Sequence, residues 1–422
     1  MGKIVICGGR RLNGRLDIQG SKNAVLPILA ASILCRDTCV LKNCPEISDV
    51  HCALEIIESL GGKTKREGST LLVDTSGITG CEIRADLMCK MRSSVMFLGA
   101  ILSRAGKATV CTPGGCEIGA RPIDLHIRAL KELGIAFSEQ NEDGKMICRM
   151  ENPHAAVIEL PFPSVGATEN IMMASVFLKG TTAILNPARE PEISELQNFI
   201  NAMGGCVRGA GTDAIYIDGV SALHGGEFTI RGDRIVCATY LFGAAAAGGD
   251  GTFCGIPPKD LKAVLSVLEK AGCEIQIHEN EISLLSNGRL RGVGKIKTTV
   301  FPGFPTDAQA PLTACLAASD GVTELTETIF ENRFRHIEEL LKMGANITVN
   351  GRTAVICGVP HLTGACVFAK ELRGAGALVA AGLSAHGTTV VGGTEYLDRG
   401  YVNIEHALGM LGADIYRKQE KD

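Results

Sequence analysis

The sequence predicts an α/β protein of two domains, each with helices inside and sheets outside, built from six βαβ-type units, three to a domain. Three observations predict it. An amphipathic helix that stops at a glycine turn recurs along the whole chain with a period of about 70 residues. Between consecutive copies lies a second helix with almost no charge. And 422 residues exceed one ordinary core, so two domains of about 200 residues each are expected.

The amphipathic helix reads Ala53-Leu54-Glu55-Ile56-Ile57-Glu58-Ser59-Leu60-Gly61 and then Ile127-Arg128-Ala129-Leu130-Lys131-Glu132-Leu133-Gly134. Later copies end at Met203-Gly204, Ala271-Gly272, Met343-Gly344 and Leu411-Gly412, so the glycine stops are almost evenly spaced. A glycine there suits a helix C-terminal cap, where the backbone turns left-handed. The period exceeds that of ordinary solenoids, so each unit is a small folded motif.

The charge-poor helices are expected at 26–34, 95–102, 170–178, 240–247, 311–318 and 377–383. Alanine, methionine and leucine on every face mean a helix buried all round. A turn and a β-branched stretch follow each, as in Ala108-Thr109-Val110 and Thr388-Thr389-Val390-Val391.

Composition narrows the function classes. Hydrophobic residues make up 45%, with 51 glycines and no tryptophan, so the cores are filled by small and branched aliphatic side chains. A net charge of −4 gives no electrostatic footprint for nucleic acid or an anionic membrane. Apolar runs such as 241–248 fall short of the roughly 20 residues that cross a bilayer. The chain runs from Met1 directly into the strand-like Lys3-Ile4-Val5-Ile6, with no cleavable leader, which predicts a cytoplasmic protein. Its 17 cysteines are scattered and form no CxxC pair, even where Cys35, Cys39, Cys44 and Cys52 cluster. Reduced thiols used as small buried hydrophobes fit that pattern, and no metal or cofactor is expected.

One thiol stands apart. Pro113-Gly114-Gly115-Cys116-Glu117-Ile118-Gly119-Ala120-Arg121-Pro122-Ile123-Asp124-Leu125-His126 sets Cys116 in a glycine-rich loop with an arginine, an aspartate and a histidine close behind. That polar setting belongs to a reactive thiol. Lys22, Arg92, Asp307 and Arg373 stand just before charge-poor helices, while Cys116, Arg121, Arg333 and Arg399 follow the next strands. Helix N-termini attract anions, so an anionic ligand in a cleft between the domains is expected.

Over essentially its whole length the chain resembles the enolpyruvyl transferases that act on UDP-N-acetylglucosamine. The resemblance rests on Ser21-Lys22-Asn23, Met91-Arg92-Ser93-Ser94, the Cys116 to His126 loop, Ser164-Val165-Gly166-Ala167-Thr168, Thr306-Asp307-Ala308-Gln309, Glu331-Asn332-Arg333-Phe334 and Tyr396-Leu397-Asp398-Arg399-Gly400-Tyr401. It implies two inside-out α/β barrels, one over 22–231 and the other over 1–21 with 232–422. It also implies transfer of the enolpyruvyl group of phosphoenolpyruvate to the sugar 3-hydroxyl, in the first committed step of peptidoglycan precursor synthesis, with these two small molecules as substrates. An epoxide of the fosfomycin type would alkylate Cys116.

The roles carried over are specific to residues. Lys22 contacts the phosphoenolpyruvate phosphate, and Asn23 and Ile329 touch substrate. Arg92 contacts the nucleotide sugar. Arg121, Pro122, Ile123, Asp124 and Leu125 bind the uridine diphosphate, with Arg121 also reaching the phosphoenolpyruvate, and His126 orients the loop or touches substrate. Ser164, Val165 and Gly166 offer backbone to the nucleotide phosphates. Asp307 is the base for the 3-hydroxyl and Cys116 the proton donor. Arg333 and Arg399 serve closure and phosphate contact, and Glu371 and Arg373 bind substrate. For Asp307 a plain helix-capping role is a competing expectation. The chain departs from relatives at Phe162-Pro163, where some carry a lysine, and at Glu371-Leu372-Arg373, where aspartate is usual. Two alternatives stay open: a transferase like 5-enolpyruvylshikimate-3-phosphate synthase, and a non-catalytic protein that binds UDP-sugars.

Overall fold

The structure, a computed structural model, describes residues 2–111, 123–139 and 144–419, apart from the side chains of Cys89 and Arg92. The chain forms two compact units, one of residues 20–111 and 123–231, the other of 2–19 and 232–419.

The 20–231 unit holds three small sheets around buried helices. The first orders Gly226–Thr229, Thr38–Lys42, Thr70–Asp74 and Lys63–Glu67, so the last strand of the unit returns, parallel, to the first sheet. The others order Lys107–Cys111, Lys145–Met150, Ile135–Phe137, and Cys206–Arg208, Ala214–Asp218, Thr181–Leu185, Val157–Glu159. Where two of the sheets have a parallel edge strand, the middle sheet has the lone parallel bridge Glu82–Thr109. The Ser21 N–H donates to the Arg231 carbonyl at 2.8 Å and ties the unit's two ends together.

The other unit repeats this plan with three four-stranded sheets. Its N-terminal segment is shared between two of them. Gly2–Cys7 inserts antiparallel between Thr388–Gly392 and Asp414–Gln419, and Leu12–Asp17 lies parallel to Gly249–Cys254. Here the Asp233 N–H donates to the Gln19 carbonyl at 2.8 Å. The core gathers Phe242, Phe253 and Tyr401 with the aliphatic faces of the helices Arg234–Ala247, Gln309–Leu316 and Leu372–Ser384.

The charge-poor helices are buried on nearly every face, which is why each unit has helices inside and sheets outside. Their starts lie earlier in the chain than hydropathy suggests. The helix expected at 170–178 spans Val165–Ser175, and those expected at 26–34 and 377–383 begin at Lys22 and Leu372. Polar caps explain the difference: Ser21, Ser164, Asp233 and Glu371 accept hydrogen bonds from the first free backbone N–H groups, so the helices start at polar residues. Two helices start differently: the one expected at 95–102 begins as the 3-10 turn Arg92–Met96 and becomes α-helical at Phe97–Ala105, and the one expected at 311–318 spans Gln309–Leu316 after the 3-10 turn Thr306–Ala308.

All six glycines of the repeat, Gly61, Gly134, Gly204, Gly272, Gly344 and Gly412, have φ between +79° and +104°, the left-handed region their spacing predicted. Among the described residues no helix is long and apolar enough to cross a membrane, and no cysteine is in a disulfide. Most described cysteines are buried, and burial pushes the Cys273 thiol up to about 11 and Cys148 to about 12, so these are inert packing groups.

Candidate active-site residues

Cys116, Arg121 and Pro122 lie outside the described residues. The remaining candidates divide between the two units.

In the 20–231 unit, Lys22 is the first residue of its helix and is buried. A lysine at a helix start is ordinarily solvated, but the Lys22 Nζ sits 2.7 Å from Asp49 Oδ2, and Asp49 is 3% exposed. Asp49 comes from the first turn of the Ser48–Ser59 helix, and no motif in the sequence singles it out. Asn23, next along, is half-buried. Arg92 opens the 3-10 turn that leads into Phe97–Ala105. Ile123 and Leu125 are half-buried, Asp124 is exposed and His126 is buried, around the start of the Asp124–Glu132 helix. Ser164 caps the helix that Val165 and Gly166 begin. Phe162, at the departure from relatives, is exposed.

One buried amide joins three of these segments. Asn170 Nδ2 donates to the Val95 carbonyl (3.1 Å) and to the Gly166 carbonyl (3.1 Å) and lies 3.0 Å from His126 Nδ1, while its Oδ1 accepts from the Gly99 N–H at 2.6 Å. The Phe97–Ala105 and Val165–Ser175 helices come this close because residue 99 is glycine: a Cβ there would stand 2.4 Å from the Asn170 carbonyl oxygen.

In the other unit, Asp307 is gripped from two sides. Arg333 Nη2 donates to Oδ1 at 2.5 Å and Arg373 Nη2 to Oδ2 at 3.0 Å. The side chains of Arg333 and Arg373 are 2% and 4% exposed, whereas that of Asp307 is 26% exposed. Two buried cations thus stand behind a carboxylate that faces outward. Asp307 lies in the 3-10 turn Thr306–Ala308 that leads into the Gln309–Leu316 helix.

The guanidiniums are themselves fixed from behind. Burial pulls the Arg373 guanidinium down, but Asp307, Tyr401 and Asp233 together hold it above its ordinary value. Tyr401 is buried, its hydroxyl 2.9 Å from Thr239 Oγ1; the Thr239 hydroxyl donates to the Ile235 carbonyl, which leaves it to accept from the tyrosine. The Glu371 carboxylate caps its own helix, accepting from the backbone N–H groups of Arg373 and Gly374. A longer side chain than the usual aspartate therefore still performs a local capping task. Arg399 follows the Thr394–Leu397 turn and is half-buried.

Glu327, absent from the sequence motifs, ties this half together. It is 1% exposed, accepts from Thr306 Oγ1 at 2.8 Å, and also accepts from the N–H groups of Ile329 (2.8 Å) and Phe330 (3.1 Å). It thereby fixes the residue before Asp307 to the turn that leads to Arg333. His336 packs beside Arg333, and burial, with the Arg333 charge, pushes its imidazole down to about 3. Among the described residues no cluster of histidine, cysteine and carboxylate side chains could hold a metal.

A polar carboxylate held by buried guanidiniums and a buried lysine at a helix start are equipment for anionic substrates and proton transfer, the work of a transferase of phosphorylated compounds. The chain belongs to the EPSP synthase (3-phosphoshikimate 1-carboxyvinyltransferase) family, whose model matches residues 6–408. It is similar to UDP-N-acetylglucosamine 1-carboxyvinyltransferase 2 of Caldanaerobacter subterraneus subsp. tengcongensis, 48% identical over 99% of this chain and 100% of that one. A protein of Solidesulfovibrio magneticus named UDP-N-acetylglucosamine 1-carboxyvinyltransferase is 43% identical over the same shares. Among solved structures the fold matches the enolpyruvyl transferase NikO from Streptomyces tendae, with a TM-score of 0.88 at 23% identity over 100% of this chain and 99% of that one. It also matches an EPSP synthase from Acinetobacter baumannii, with a TM-score of 0.75 at 18% identity over 99% of this chain and 100% of that one. The architecture is thus the two-domain inside-out α/β fold of the enolpyruvyl transferases.

Proposed function

We propose that the chain transfers the enolpyruvyl group of phosphoenolpyruvate to the 3-hydroxyl of UDP-N-acetylglucosamine with release of inorganic phosphate, the first committed step of bacterial peptidoglycan precursor synthesis. The observation that carries this reading is full-length similarity, at 48%, 45% and 43% identity, to proteins that bear the name of this activity. Free thiols among the described residues fit a cytoplasmic enzyme.

The reaction is addition followed by elimination. Cys116 is the proton donor to the methylene carbon of phosphoenolpyruvate, which develops cationic character at the carbon bearing phosphate. Asp307 accepts the proton of the 3-hydroxyl as that oxygen bonds to the same carbon. The new methyl group then loses a proton, the bond from carbon to the phosphate oxygen breaks, and the enol ether is restored. Lys22, Arg121 and Arg399 hold the phosphate as charge moves onto it. Arg333 and Arg373 keep Asp307 in one orientation, which proton transfer requires. Asn23, Arg92, Ile123, Asp124, Leu125 and Ile329 position the sugar nucleotide. Ser164, Val165 and Gly166 form a helix start that suits a diphosphate: the Val165 and Gly166 N–H groups lie in its first turn, while the Ser164 N–H donates to the Phe162 carbonyl.

The test is phosphate release from phosphoenolpyruvate with UDP-N-acetylglucosamine or shikimate 3-phosphate as acceptor. Release with the nucleotide sugar, lost in Asp307→Ala, supports the reading. Release with shikimate 3-phosphate alone overturns it in favour of the reaction for which the family model is named. A mass increase on Cys116 with phosphoenolpyruvate, absent in Cys116→Ser, excludes a silent UDP-sugar-binding protein.

A further inference from the structure

We propose that Asn170 is a positioning residue of the nucleotide-sugar site, holding His126 as the neutral tautomer that carries its proton on Nε2 and aiming that N–H at the Ser164–Gly166 turn. The inference rests on the proposed UDP-sugar reading for its functional meaning, but not for its chemistry.

The orientation of the Asn170 amide is forced. Its side chain is fully buried, and its Oδ1 takes the Gly99 N–H at 2.6 Å, a contact only an oxygen satisfies. The opposite end faces the carbonyls of Val95 and Gly166, both at 3.1 Å, which only an NH2 satisfies. A flipped amide would set oxygen against two carbonyls and nitrogen against an N–H. The NH2 has two hydrogens for three neighbours, so one of them is shared; an amide nitrogen accepts nothing, so the His126 Nδ1 that lies 3.0 Å from it is placed to accept and not to donate. An imidazole that accepts on Nδ1 carries its proton on Nε2 and is uncharged.

Where that N–H points follows from Gly166. A Cβ on residue 166 would lie 2.8 Å from His126 Cε1 and 3.2 Å from Nε2, so this edge of the ring faces the glycine. Gly166 therefore does more than free the backbone: no side chain fits between the turn and the ring. The same amide holds the Val95 carbonyl, one turn after Arg92, so Asn170 couples three stretches assigned to the sugar nucleotide.

Long-range 1H–15N correlation spectra of the histidine rings in the substrate-free protein, with the His126 signals assigned by their loss in His126→Gln, test the tautomer directly. The expected pattern is a protonated Nε2 and an unprotonated Nδ1; an Nδ1–H pattern or an imidazolium at neutral pH overturns the proposal. Asn170→Asp replaces the donor with an acceptor and is expected to move the proton to Nδ1 or to charge the ring. In Asn170→Ser, which removes the donor with less repulsion, KM for UDP-N-acetylglucosamine is expected to rise roughly tenfold or more while kcat changes by less than about threefold. An unchanged KM with the tautomer intact in wild type overturns the positioning role. Absence of any activity with UDP-N-acetylglucosamine in wild type would instead refute the UDP-sugar reading, leaving the spectra to judge the tautomer.

Discussion

Arg373 donates to Asp307 at 3.0 Å from an almost wholly buried position, yet the carboxylate it holds is the most exposed member of the group. With Arg333 on the other oxygen, the arrangement presents one fixed carboxylate outward and keeps both cations out of water. A burial this complete is tolerable because charge and counter-charge stay in contact.

Asp307→Asn therefore removes two things at once. The loss of the base is expected to lower kcat by about 10²–10⁴-fold. The two buried guanidiniums, left without the carboxylate they share, are expected to cost about 3 kcal/mol of stability in urea unfolding. Activity within tenfold of wild type, corrected for the folded fraction, would remove Asp307 from the chemistry.

Lys22 and Asp49 form the corresponding buried pair of the other unit. Asp49→Ala is expected to destabilise the protein by about 3 kcal/mol, because it strips a counter-ion from a largely buried ammonium. It should also raise KM for phosphoenolpyruvate, since Lys22 loses its anchor. Unchanged melting together with unchanged KM would show that the pair does neither.

His336 makes stability depend on pH in a defined direction. Its folded value is pushed down to about 3, below the ordinary value of about 6.5. The unfolded chain therefore binds the proton first, and the stability contribution is complete above about pH 6.5 and is lost as pH falls toward 3. Between pH 7.5 and pH 5 this group is expected to cost wild type about 2 kcal/mol, and His336→Asn should abolish that part of the slope. Parallel urea midpoints for the two proteins across this range would contradict the assignment.

Glu169 acts with the opposite sign. It is fully buried on the Val165–Ser175 helix, neither carboxylate oxygen has a hydrogen-bond partner among the described residues, and burial, with Glu192 and Glu190 adding to it, raises its carboxyl well above the usual range. A raised acid contributes stability below its unfolded value and loses it as pH climbs toward the folded one. Glu169→Gln should thus gain on wild type as pH rises from about 5 to 8, by at most about 1.4 kcal/mol per pH unit. A difference that stays flat with pH would mean that the carboxyl is ionised in the fold.

Much of this architecture is legible in the chain because it is periodic. Helix faces and their glycine stops are local patterns, so Gly61, Gly134, Gly204, Gly272, Gly344 and Gly412 announce themselves, and their positive φ angles agree. The polar residues at helix starts, such as Lys22 and Asp307, are visible for the same reason. Helix starts are less legible, because half-buried polar caps such as Ser164 and Glu371 look like loop residues until the backbone bonds they accept are known.

The sequence by itself determined the repeats, the buried character of the inner helices and the residue types around the reacting groups. Only the tertiary structure decided who holds whom. Asp49 reaches Lys22 from a different helix, Arg373 comes from another repeat unit than Asp307, and Asn170 draws His126 and Gly99 together from two further helices. Hydrophobic periodicity records which face of an element is buried, but a counter-ion or hydrogen-bond partner is fixed by distances of about 3 Å between elements far apart in the chain. That is why Asn170 and Glu327 pass in the sequence for ordinary helix and loop residues, and become hubs only once the elements pack.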